Sequence, residues 1–145
     1  MPINTYPANA GDHFHSGQYI QSNGDVMNGT LLLKSVNTRS VSLGTVSGSV
    51  NLDMAQGNDF IVTVNGATTF NFTGVTASNA VLGTLVHSVG LQLINGGNFT
   101  MSFPGVKWAG GTVPTLTSSA TDILSFVTFD GGTNWRGMMV SKDSK

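Results

Sequence analysis

The chain has 145 residues, a formal net charge of -1 and only 9% charged residues, whereas about 25% is usual in soluble globular proteins. No cluster of lysine or arginine is present to bind nucleic acid through its phosphates, and the lack of cysteine excludes disulfides and thiolate zinc sites. No run of about 18 apolar residues occurs, so the sequence predicts no transmembrane helix.

The first third of the sequence lacks a regular pattern. Residues 1–22 show no stable period and contain Pro2 and Pro7, which predicts an extended arm that needs a partner to order it. The apolar run Leu31–Leu33 is short, and the residues after it are again polar. We therefore assign residues 1–48 to an N-terminal attachment arm and a short shaft.

From Ser49 onward, apolar and polar residues alternate in short runs separated by Gly and Asn turns, and no helical period is evident. Asn65–Gly66 is predicted to reverse the chain, and a second turn is predicted at Asn95–Asn98. This pattern predicts an all-β head over residues 49–145, an antiparallel β-sandwich of jelly-roll type. No internal repeat at solenoid spacing is evident. The predicted core residues are Phe60, Val62, Phe70, Phe72, Phe99, Met101, Phe103, Phe126 or Ile123, and Trp135.

His13 and His15 are separated by a single residue, Phe14. Side chains alternate between the two faces of an extended strand, so both imidazoles would point the same way. One such pair is a poor metal site, but three chains around a threefold axis would present six imidazoles, which suits an octahedral site for iron, nickel or zinc. The alternative is a pair of solvated histidines.

Residues 12–17 read DHFHSG, and residues 24–31 read GDVMNGTL. Together they resemble the beginning of many bacteriophage tail-fibre and virion-fibre proteins, which carry a His-x-His element near a GDxMxGxL segment. The closing segment, 105–135, is also similar to the C-terminal part of phage fibre proteins. The resemblance implies a homotrimer in which His13 and His15 hold a metal, usually iron, on the axis.

Each of the remaining candidate residues also has a purely structural interpretation. His87 lies in an apolar run and is expected to be a structural residue. Asp59, Asp122 and Asp130 stand next to predicted strand ends or turns, where Asp bonds the backbone. Trp108 lies in a Gly-rich loop and is either a receptor-binding platform or a cap on the core, whereas Trp135 is expected in the core. We predict no catalytic residues, because no nucleophile elbow or phosphate-binding loop is present.

The resemblance leads us to expect a virion structural protein, a short trimeric tail fibre assembled in the host cytoplasm. Residues 1–48 would attach to a tail or baseplate protein, and residues 49–145 would adhere to a host surface glycan or protein. We expect no nucleic-acid partner and no insertion into a membrane. A trimeric capsid decoration protein, which the short shaft favours, and a free carbohydrate-binding module are the alternatives.

Overall fold

The computed structural model describes residues 38–75, 78–79 and 83–145, all of which belong to the compact unit 35–145. Apart from turns and two short 3-10 helices, Gly96–Asn98 and Ala109–Gly111, this part of the chain is built of strands, so the predicted all-β class is confirmed. The strands are β1 (Ser40–Asp53), β2 (Asp59–Thr73), β3 (Ser78–Asn79), β4 (Gly83–Thr84), β5 (His87–Ile94), β6 (Met101–Ser102), β7 (Val106–Trp108), β8 (Thr121–Thr128) and β9 (Trp135–Ser144).

Most of these strands form one mixed sheet in the order β1-β2-β5-β8-β9-β7, in which β6 also pairs with β2, while β3 and β4 form a separate pair. The antiparallel pairing expected for the whole head holds for β5 with β8 and for β8 with β9. In contrast, β2 pairs in parallel with β1, β5 and β6, and β7 pairs in parallel with β9. The first strand runs without a break through position 49, where the sequence pattern places the start of the head.

The parallel pairing of β1 and β2 arises because the chain winds around. Partners lie 18 to 20 positions apart, as for Val46 with Val64 and Asp53 with Thr73. A straight strand of 14 residues would be roughly 46 Å long, too far for the five-residue link 54–58 to return. Each strand must therefore bend. On its other side β2 pairs in parallel with β5, and these partners are farther apart in the sequence. Asp59 pairs with Gly90, 31 positions later.

The bends coincide with irregularities in the pairing. The register between β1 and β2 shifts between Ser42 and Gly44 and again between Val46 and Gly48, and both glycines have positive φ, 70° and 75°. A strand bulge of this kind bends the strand, and glycine adopts positive φ at little cost. Asn65–Gly66, predicted to reverse the chain, lies inside β2 opposite the second bulge.

Strands that are far apart in the sheet share one core. β2 and β9 are separated by β5 and β8, so in a flat sheet they would be about 14 Å apart. Yet the ring of Phe72 on β2 stacks on Trp135 of β9 with a centroid distance of 4.3 Å, and it also meets Phe126 of β8 at 5.0 Å. The sheet therefore curls over on itself and encloses these rings.

The predicted core is largely confirmed. Phe60, Val62, Phe70, Phe103, Phe126 and Trp135 are buried, and Phe72 and Met101 pack against them. Phe126 rather than Ile123 takes the interior position on β8. The prediction that Phe99 belongs to the core is wrong, because this residue is 39% exposed. It follows the 3-10 helix and its N–H bonds back to Gly96, so it stands outside the strand that begins at Met101.

Candidate functional site

The predicted metal ligands, His13 and His15, lie outside the described residues, and so does the segment 24–31. The shared metal site therefore stays a prediction. Within the described ranges 38–75, 78–79 and 83–145, no group of three or more His, Cys, Asp or Glu side chains is arranged to hold a metal ion. His87 is half-buried at the start of β5, opposite Thr128 of β8.

Trp108 ends β7 and is half-buried. Its indole makes edge-to-face contacts with Phe103 and Phe126, at centroid distances of 5.4 Å and 5.6 Å. Opposite it on β9 stands Gly137, where an added Cβ would come within 2.7 Å of the indole ring. Only glycine leaves room for the ring at this position. Trp108 thus packs against the core through part of its surface, and its ring is held in place on several sides.

The remaining surface of Trp108 lines an open groove with a volume of about 370 Å³. Its lining comes from two segments of the chain, Trp108 with the loop after it and three successive residues of β9. We call this the Trp108 groove. Its lining residues are Trp108, Ala109, Thr112, Pro114, Gly137, Met138 and Met139.

Of the two interpretations of Trp108 made from the sequence, the structure supports the cap on the core, and binding of a receptor stays a prediction. The ring caps the core, as its contacts with two buried phenylalanines demonstrate, and it also borders a surface groove. Trp135 is 2% exposed and stacks on Phe72, so it belongs to the core as predicted. The two tryptophans therefore have different surroundings, and only Trp108 borders the groove.

Sequence reasoning missed the other groove residues. Thr112 and Pro114 follow the Gly-rich loop, whereas Met138 and Met139 belong to β9. The parallel pairing of β7 with β9 brings these distant segments together, and neither segment carries a local sign of it. The one available signal was Gly137, because a glycine inside a strand pattern indicates close approach by another group.

Asp122 bonds the backbone, as the sequence predicted for aspartates near turns. Its fully buried carboxylate accepts hydrogen bonds from the Thr117 N–H at 2.6 Å, the Thr117 hydroxyl at 2.8 Å and the Asp143 N–H at 3.0 Å. Burial raises the pKa of Asp122, but these hydrogen bonds outweigh burial and hold the pKa below its ordinary value of 3.8. The carboxylate therefore ties the loop before β8 to the end of β9.

Asp130 organises the turn between β8 and β9. Its carboxylate accepts hydrogen bonds from the backbone N–H and the side-chain amide of Asn134, both at 2.8 Å, and from the hydroxyl of Thr128 at 2.8 Å. The hydrogen bonds from Asn134 and Thr128 lower the pKa of Asp130 to about 2. Both carboxylates are thus engaged with neighbouring backbone and side-chain donors.

No helix in the described part of the chain is long and apolar enough to cross a membrane. Comparison of the sequence with protein-family models and with curated proteins, and of the structure with solved structures, finds no match.

Proposed function

We propose that the chain is a bacteriophage virion protein, a short homotrimeric tail fibre whose N-terminal arm docks on the tail or baseplate and whose head adheres to the host surface. The observation that carries this proposal is the order of motifs, a His-x-His pair followed by GDVMNGTL, placed ahead of a domain built of strands. A two-layer, sandwich-like head is part of the proposal. The stacking of Phe72 on Trp135 supports it, because the stacking needs the sheet to fold over.

Three chains would meet at the N-terminal arm. His13 and His15 from each chain would together ligate one metal ion on the axis, with iron expected from the resemblance and zinc or nickel as other metals that imidazole accepts. In such a site Asp12 would orient an imidazole from outside the ligand shell. When ligands come from several chains, the free energy of metal binding becomes free energy of assembly. The metal would thus fix the three chains in one register.

The head would act by adhesion, and its site would be the Trp108 groove. An open groove beside a held aromatic ring supports this assignment, because such rings supply large contact areas in recognition. Three heads on one fibre would bind together, and linking weak contacts raises apparent affinity by roughly 10²–10⁴. No chemical turnover is required of such a protein.

The test removes both proposed ligands. In the double variant H13A/H15A we expect the purified protein to lose its metal and to dissociate more readily, while the circular dichroism of the head stays unchanged. His87→Gln is the matched control, because it removes the remaining histidine of the chain and should leave both metal and mass unaltered. Equal metal content in H13A/H15A and wild type would overturn the proposal.

A capsid decoration protein, which would also be trimeric and rich in strands, is the second candidate. The two candidates differ in location on the particle. Gold-labelled antibody against the head should decorate the tail tip of intact virions if the chain is a fibre, and the capsid surface if it is a decoration protein.

A further inference from the structure

The Trp108 groove lies where β7 leaves the sheet. β7 pairs with β9 in parallel up to Trp108, which stands opposite Gly137. The next positions of β7 would lie opposite Met138 and Met139, but the chain turns there into the 3-10 helix that begins at Ala109. Because β9 continues, its edge beyond Gly137 has no partner among the described strands.

The departure of the chain from β9 is built into the backbone. Gly110 and Gly111 have φ angles of 68° and 76°, a region that residues with a side chain rarely adopt. The chain then runs through Thr112 and Pro114, which also line the groove. The groove is thus lined both by residues of β9 beyond the end of β7 and by the loop that follows β7.

The lining selects the class of ligand. Among the described residues of the lining, none is charged and Thr112 alone has a side-chain hydroxyl. A sugar needs several hydrogen-bonding side chains to fix its hydroxyl groups, which this lining does not offer. An extended peptide brings its own N–H and C=O groups, which can pair with a free strand edge while alternate side chains enter pockets. Methionines adapt their shape to varied apolar side chains.

We propose that the Trp108 groove binds a short, uncharged, extended peptide segment that pairs with β9 from Met138 onward and packs its apolar side chains against Trp108. The volume of about 370 Å³ suits a few residues and lies near the lower end of the range for ligand pockets. The proposal deepens the adhesive role given above and rests on it for the source of the peptide, a protein on the host surface. The binding site itself belongs to the described domain.

The test uses the full chain and two arrays. One array carries short uncharged peptides in which apolar residues alternate with Ser or Thr, and the other carries host polysaccharides. We expect binding to members of the peptide array and none to the polysaccharides. The tightest peptide is then measured by fluorescence anisotropy, together with a version N-methylated at alternate residues. Blocking backbone pairing in this way should weaken binding at least about tenfold.

Variants locate the site. Thr112→Asp and Met138→Asp place a charge in the groove at exposed positions, so both should fold and weaken peptide binding by about tenfold or more. Val86→Asp is the matched control, because Val86 lies just before β5, is 59% exposed and does not line the groove. Its affinity should equal that of wild type.

Four results would overturn the peptide site. They are no binding to the peptide array, binding to polysaccharides alone, equal weakening of peptide binding by Val86→Asp, and a change in subunit number in Met138→Asp, which would make the groove a contact between copies. The fibre proposal fails separately. A metal-free monomer that binds the peptide would refute the fibre and leave the groove, whereas a metal-bound trimer that binds no peptide would do the reverse.

Discussion

The two regions of the sheet differ in how their strands find their partners. β8 and β9 are consecutive strands joined by one turn, and their antiparallel pairing follows from that turn. β1 and β2 are also consecutive, yet they pair in parallel, because each bends at its bulges and the chain winds around. Alternation of apolar residues specifies which face is buried in both regions, but it does not specify the direction of the neighbour.

Burial at the centre of the antiparallel region should matter most. Phe126→Ala removes a fully buried ring that contacts Phe72, Phe103 and Trp108, and we expect a loss of about 4 kcal/mol in the free energy of unfolding. Phe129→Ala, three positions along and 66% exposed, should cost almost nothing. Urea denaturation measures both, and equal losses would show that the rings do not form a shared core.

The tie between the loop before β8 and the end of β9 should rank second. Asp122→Ala leaves the Thr117 and Asp143 donors without their acceptor, and we expect a loss of about 3 kcal/mol in unfolding free energy. Asp53→Ala is a matched control, because the donors to that carboxylate among the described residues are Ala55 and Gln56 in the exposed turn after β1. A loss at Asp122 no larger than at Asp53 would contradict the assigned role.

A substitution at the bend in the parallel region should lower the free energy of unfolding by a smaller amount. Gly48 has a φ of 75° and no neighbour within 4 Å of an added Cβ, so Gly48→Ala should cost only the backbone strain, about 1 kcal/mol. Gly48→Asn should cost less, because asparagine tolerates this conformation better. Thermal unfolding compares the two. If alanine stabilised the protein, the strand would not bend as described.

The turn between β8 and β9 should make the stability of the protein depend on pH. The pKa of Asp130 is lowered from 3.8 to about 2. The ionised carboxylate therefore contributes fully to the free energy of unfolding above pH 4, and this contribution is lost as the pH falls through 2. In Asp130→Asn we therefore expect the fall in stability over this range to become shallower. Urea midpoints at pH 4 and pH 2.5 measure it, and an identical fall in both proteins would contradict the hydrogen-bonded turn.

Local patterns were sufficient for much of the fold. The alternation of Phe60 with Val62 predicted buried positions, and the Asn95 turn forms as expected, with Asn95 itself at positive φ. The parallel windings could not be predicted in this way. Their partners are 18 to 20 positions apart between β1 and β2 but 31 apart from Asp59 to Gly90, so no constant repeat marks them.

Only part of the candidate site could be predicted from the sequence. Trp108 stood out as an aromatic residue in a Gly-rich loop, but the groove beside it depends on Met138 and Met139, which β7–β9 pairing brings close. Such pairing between distant segments is set by the whole sheet. The spacing of His13 and His15 was enough to propose them as metal ligands, and that role depends on other copies of the chain.

The central claim is that three chains share one metal ion through their histidine pairs. Native mass spectrometry of the full chain, combined with elemental analysis of the same sample, tests it most directly. We predict a trimer carrying one metal ion, iron in the first instance, that dissociates when a chelator removes the metal. A monomer without bound metal at the same protein concentration would contradict the account.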